Sequence, residues 1–199
     1  MRFCVFLLAC AALFPADDFM TGQAARLIIG QDTFTRQDPR SSDTVLGGAG
    51  GVAYANNMLF VADSNRVGAS PSNHRVLIFR DLSLQIPRPN DPLPQLQRCP
   101  ACVGRANLVL GQPDFAKTEF GRSQAKLRLP TSVATDGVRL AVADTDNNRV
   151  LVWNRIPATN NANADLVIGQ PDFNLAQVSR PPTSKLLLGP QGVWILGNR

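Results

Sequence analysis

The feature that most constrains this chain is an eight-residue string that occurs three times. Leu27-Ile28-Ile29-Gly30-Gln31-Asp32-Thr33-Phe34 is echoed by Leu108-Val109-Leu110-Gly111-Gln112-Pro113-Asp114-Phe115 and again by Leu166-Val167-Ile168-Gly169-Gln170-Pro171-Asp172-Phe173. Each copy sets three apolar, mostly β-favouring residues before a glycine and a polar turn, the pattern with which a short strand ends. Phe34 to Val52 and Phe115 to Val133 are both 18 positions, and Phe173 to Val193 is 20. Three copies followed by nearly equal spacers point to one structural unit used repeatedly.

A second block follows each spacer. In the best-formed copy, residues 131–136 predict a strand that ends at the turn Asp136-Gly137, and residues 139–143 a second strand ending at Asp144. Thr145-Asp146-Asn147-Asn148 makes a tight hairpin loop, where Asp and Asn tolerate positive φ and bond nearby backbone. Residues 149–153 and 166–168 supply the third and fourth strands, giving an antiparallel meander over 131–170. Residues 51–54, 58–63 and 75–79 repeat the plan with longer connections. Eleven residues separate Asp63 from Arg75, against four between Asp144 and Arg149. Phe79 and Leu108 are separated by 28, against 12 between Trp153 and Leu166, the excess falling in a proline-rich insertion at about 81–105. Insertions confined to turns are what stacked units tolerate.

Composition fits an all-β fold. Hydrophobic residues make up 44% and charged residues 18%, enough for a core, while 15 glycines and 15 prolines argue against a helical bundle. Val76 to Phe79 and Val150 to Trp153 are unbroken apolar runs, so these strands should be covered on both faces. Four-stranded units covered on both sides suggest propeller blades packed face to face. A sandwich is the competing architecture, but it does not require one sequence to recur in every unit.

The block Pro130-x-x-Val133, Asp136-Gly137, Val142-Ala143-Asp144-Thr145-x-Asn147-x-Arg149-Val150-x-Val152-Trp153 resembles the NHL repeat. The copy from Gly51 to Phe79 is looser, and the third shows only Pro190-x-Gly192-Val193. Linkage to the octapeptide is similar to that in bacterial, extracytoplasmic NHL-repeat proteins. The resemblance covers residues 23–199 and implies an all-β, partial β-propeller of four-stranded antiparallel blades. Such rings usually close with about six blades, whereas two complete units are counted here, 51–112 and 131–170. A leading strand at 27–31 and a trailing strand near 191–196 complete the count. The expectation is an incomplete ring from a truncated product or gene fragment, whose open apolar faces favour self-association.

The amino terminus predicts export. Arg2 precedes a twelve-residue apolar run, Phe3 to Phe14, whose helical length of about 18 Å is short of a hydrocarbon core of about 30 Å. Small residues at Ala9, Ala11, Ala12 and Ala16 resemble a signal peptide over 1–16, and Leu7-Leu8-Ala9-Cys10 resembles a lipoprotein box. A buried first strand is the alternative. The chain is therefore expected to be periplasmic, secreted or lipoprotein-anchored, with no membrane span other than an uncleaved signal. Cys99 and Cys102 have Cys-x-x-Cys spacing but follow Pro87, Pro89, Pro92 and Pro94, where the helix that activates a redox thiolate cannot form. A small disulfide pinning an exposed loop is the first reading; free thiols and a redox or metal role are the others.

Residues that could carry chemistry read as structural. Asp63 and Asp144 end matching strands, and an active site is built once whereas a hairpin cap recurs. Asp144 is expected to accept the amides of Thr145 to Asn147, with Arg149 reaching back to a carboxylate. Asn73, Arg75, Asn147, Asn148 and Arg149 share this reading. His74, matching Asn148, reads as a polar loop contact, and as the only histidine it excludes a multi-histidine metal site within one chain. The cluster Gly47-Gly48-Ala49-Gly50-Gly51 lacks a phosphate-loop ending and reads as a sharp turn into a strand. Phe79, Trp153 and Trp194 read as packing aromatics. The net charge of +5 comes from 20 basic and 15 acidic residues, scattered without a basic run, so no nucleic-acid partner is expected.

Two functions stay open. The first is a non-catalytic binding or scaffold module whose protein or small-molecule ligand meets loops around a central channel, with no cofactor. The second is a propeller-type lyase or lactonase-like hydrolase, which the single histidine disfavours.

Overall fold

The computed structural model describes residues 21–37, 39–65, 72–88, 91–92 and 102–197. Their regular structure is nearly all β. Strands β1 (Leu27–Ile28) and β5 (Cys102–Val103) pair in parallel. One four-stranded antiparallel sheet runs β2 (Ala49–Ala55), β3 (Met58–Asp63), β4 (Arg75–Phe79) and β6 (Leu108–Leu110). The other runs β7 (Ser132–Thr135), β8 (Leu140–Asp144), β9 (Arg149–Trp153) and β10 (Leu166–Ile168) in the same order. Helix is confined to one turn, α1 (Leu82–Gln85), and a 3-10 turn over Thr145–Asn147. Neither sheet closes on itself. Among the described residues no helix is long and apolar enough to cross a membrane.

Local chemistry explains the hairpins. Asn56 and Asn57 both take positive φ in the two-residue link from β2 to β3, the geometry a twisted two-residue hairpin demands. Between β7 and β8, Asp136 Oδ1 accepts the amides of Val138 and Arg139 at 2.9 and 2.7 Å, and the Arg139 guanidinium holds its other oxygen. The Arg139 amide is the strongest influence holding this carboxyl down at about 2. The two hairpins touch, because Asn56 Nδ2 donates to Gly137 O at 2.7 Å.

The sheets stack face to face. Phe60, Ala62, Val76 and Ile78 of the first sheet share a core with Leu140, Val142, Leu151 and Trp153 of the second. The intervening residues Val61, Leu77, Phe79 and Val109 point the other way, into a second core with Ile29, Leu46 and Leu82. The first sheet is therefore covered on both faces, as its unbroken apolar runs predict. Where β2 meets the start of β7, a Cβ on Gly50 or Gly51 would lie 2.8 or 2.9 Å from Thr131 O. Only glycine permits that approach.

Cover on the second sheet is less complete: Ala141, Ala143 and Val150 are buried on its outer face, as the apolar run of β9 predicts, but among the described residues β10 is left open. By sequence register Leu108 and Leu110 match Leu166 and Ile168. Leu110 is 0% exposed beneath the second sheet, whereas Leu166 and Ile168 are 51% and 54% exposed. The residues are alike; the presence of a neighbouring sheet differs.

Several expectations need correction. The leading strand is two residues long and pairs with β5 inside the insertion, because Gly104 N donates to Ile28 O and continues that ladder. No strand forms near 191–196. That segment still runs beside β7, with Val193 N donating to Ser132 Oγ at 3.3 Å. Trp194 does not pack; it is 81% exposed, while Phe79 and Trp153 are buried. The insertion is not all loop, since it holds α1 and β5. Residues 1–16, where a signal peptide is expected, and Cys99 lie outside the described residues, and Cys102 contributes only the backbone of β5 to the description.

The two tryptophans give a contrast to measure. Trp153→Ala removes a buried ring whose Nε1 donates to Ala162 O at 3.1 Å; the expected loss is about 3–5 kcal/mol. Trp194→Ala in dilute solution should cost about 0.5 kcal/mol or less. Urea denaturation of both variants checks the pair.

Candidate functional site

At one edge of each sheet, an aspartate and an arginine that face each other across a hairpin are sealed from solvent. Asp63 pairs in register with Arg75, and Asp144 with Arg149. All four side chains are 0% exposed. Arg75 Nε donates to Asp63 Oδ2 at 2.8 Å, and Arg149 Nε donates to Asp144 Oδ2 at 2.7 Å. Asn73 Nδ2 and Asn147 Nδ2 add a second donor to the same oxygens, each at 2.8 Å. The remaining carboxylate oxygen reaches back along the chain. Asp63 Oδ1 accepts the amides of Gly47 and Gly48, and Asp144 Oδ1 accepts the amide of Arg128 at 2.7 Å.

This corrects the expected capping of Thr145 to Asn147. Those residues form a 3-10 turn closed by its own backbone, with Asn148 N donating to Thr145 O. The carboxylate is left to fasten the segment that enters its sheet. The glycines at 47 and 48 accordingly do more than permit a turn. A Cβ on Gly47 would meet Asn73 Nδ2 at 2.7 Å, inside the same network.

Each arginine extends the clamp to the octapeptide that follows. Arg75 Nη1 donates to Phe115 O and Nη2 to Val45 O, at 2.8 and 2.7 Å. Arg149 Nη1 donates to Phe173 O, and Nη2 to Ser123 O and Lys126 O. The octapeptide glutamine is a second latch. Gln112 Nε2 donates to Glu119 O at 2.7 Å while its Oε1 accepts Glu119 N; Gln170 does the same with Gln177. The octapeptide glycines Gly30, Gly111 and Gly169 all have φ near +90°, and a Cβ at Gly111 would sit 2.6 Å from His74 O. The co-occurrence of octapeptide and strand block in the sequence thus has a bonded cause.

Electrostatics follow from burial. Desolvation is the largest influence on Asp144 and pushes its carboxyl up, against the lowering pull of Arg149, the Arg128 amide and Asn147. Desolvation likewise lowers the Arg75 guanidinium, opposed by Asp63. Every carboxylate oxygen of the two aspartates is engaged and neither touches solvent. That arrangement is a clamp between chain segments.

His74 occupies the place of Asn148, and both have positive φ. Its buried Nδ1 accepts the Leu129 amide at 3.1 Å, as Asn148 Oδ1 accepts the Gly189 amide at 2.9 Å. Burial, then the nearby Arg128, lower its pKa below 6.5, while Asp146 opposes them. Among the described residues no three His, Cys, Asp or Glu side chains gather as a metal site would need. Sequence reasoning missed the partners Gly47, Gly48 and Arg128 and the glutamine latches. The available signal was the constant interval of 16 residues from bonded amide to aspartate.

Asp144→Asn leaves a buried guanidinium without its counter-charge and should destabilise the fold by about 3–5 kcal/mol. The same change at the exposed turn residue Asp136 should cost about 1 kcal/mol or less; thermal denaturation compares them. The folded state prefers neutral His74, so stability should hold above pH 6.5 and decline as pH falls through and below it. His74→Asn, the residue its counterpart carries, should flatten that decline in urea midpoints measured from pH 7.5 to 5.5.

No protein-family profile matches the chain, and no curated protein matches it.

Proposed function

We propose that this chain is an exported, non-catalytic binding or scaffold module built of NHL-type propeller blades, two of which stack here as adjacent sectors of an incomplete ring. Several observations support the reading. The two sheets share one strand order, their first strands lie side by side, and the segment around Val193 follows beside β7 in the same sense. The recurring acids are consumed by the clamps. The apolar amino-terminal run supports export.

The observation that carries a binding role is the unequal treatment of matched residues. Leu110 is buried by a neighbouring sheet, and Ile168 is not. The opposite end of the stack is already covered by the chain's own Ile29, Leu46 and Leu82. Copies therefore cannot add head to tail without displacing that cover. Two open faces meeting each other is the association the surface favours.

Light scattering coupled to size exclusion tests this. The purified chain should form dimers or larger species with rising concentration, and Leu166→Asp with Ile168→Asp should return it to monomer. A compact monomer at all concentrations, with both leucine and isoleucine in place, would contradict the proposal.

A further inference from the structure

The surroundings of the two sheets differ most beside the second clamp. Phe120, Gly121, Arg122, Arg128, Asn147 and Asn174 line a cavity of about 310 Å³ beside the second clamp. In sequence register, Arg122 matches Ser41, Arg128 matches Gly47, Phe120 matches Pro39 and Asn174 matches Ala116. Only Asn147 has a like counterpart, Asn73. Two cations, an aromatic ring and an amide thus replace small or neutral residues around one cavity, while Gly121 stands where the first sheet has Arg40.

The first sheet could not hold such a site. Its longer hairpin places Asn65 where a side chain at position 47 would go, with Asn65 Cβ 2.9 Å from a Cβ built there. The shorter hairpin of the second sheet leaves that space to Arg128. Its guanidinium lies 5.0 Å from the centre of the Phe120 ring, which holds it in place by cation–π attraction. Asp146 forms a long ion pair with Arg128, Oδ2 to Nε 3.9 Å, outside hydrogen-bond reach. Arg122 Nε donates to Asn147 Oδ1 at 3.3 Å, and Asn147 is itself anchored on Asp144. That contact uses Nε alone of the donors of Arg122, which lines the cavity together with Arg128.

We propose that this cavity binds a small oxyanion, a carboxylate or phosphate group, between Arg122 and Arg128. Guanidinium forks match such groups bidentately, and Asn174 lines the same cavity, whereas both Asn147 Nδ2 hydrogens are already donated to Gly121 O and Asp144 Oδ2. This site needs neither ring closure nor self-association, so it stands or falls separately from the role proposed above.

His74 offers a direct reporter. It is the chain's single histidine, and its ring meets Phe120 edge-on at 5.6 Å. Its ring resonances can be followed by proton–carbon NMR at pH 7.5 while sodium phosphate, sodium acetate or sodium chloride is added at matched ionic strength. A saturable shift with phosphate or acetate and none with chloride is expected, and whichever anion saturates identifies the group. Arg122→Ala should weaken that binding at least about tenfold. Asn174→Ala, which restores the residue at the matching place in the first sheet, should weaken it by a smaller factor while leaving circular dichroism unchanged. Shifts that follow ionic strength alone, or saturation unaltered by Arg122→Ala in a folded variant, would overturn the site.

Discussion

A guanidinium buried at the end of a strand must find acceptors for its N–H donors or lose the free energy of leaving water. In this chain that requirement organises everything else. Arg75 and Arg149 each satisfy it by gathering three stretches of chain: the aspartate across the hairpin, the segment entering the sheet, and the octapeptide leaving it. Net stability gained over an apolar substitute is small for such pairs, because desolvation opposes the Coulombic attraction. What the clamp supplies is register. Only one alignment of hairpin, entering segment and octapeptide satisfies all the donors at once.

Stacking of the sheets follows from that alignment. Once the entering segment is fastened to its own hairpin, Gly50 and Gly51 of β2 come against the backbone at Thr131, and the apolar faces between the sheets close over Phe60, Val76, Leu151 and Trp153. The proline-rich insertion then has a structural use. Its strand β5 pairs with β1, its helix α1 places Leu82 in the second core, and the outer face of the first sheet is sealed. Nothing in the described chain does the same for Leu166 and Ile168. Among the described residues the stack is sealed at one end and leaves Leu166 and Ile168 open at the other.

Much of the fold was legible in the sequence because strand pairing leaves local marks. Apolar runs, paired asparagines in turns and Asp–Arg spacing across a hairpin all act within a few residues. Asp144 and Arg149 were recognisable as structural from their repetition in Asp63 and Arg75. Their actual partners were not, since a backbone amide carries no side-chain identity to notice: Gly48 and Arg128 donate equally well. Trp194 misled for a related reason, because an aromatic residue announces burial only where a neighbouring sheet exists to bury it.

The sequence by itself determined the strands of the two four-stranded sheets, their order and the linkage of octapeptide to hairpin, since those depend on short-range periodicity and turn chemistry. The tertiary structure alone decided which apolar faces are covered and that Arg122, Arg128 and Asn174 meet around one cavity. Those outcomes depend on segments far apart in the chain arriving in one place, and on the length of a hairpin that leaves or fills the space between them.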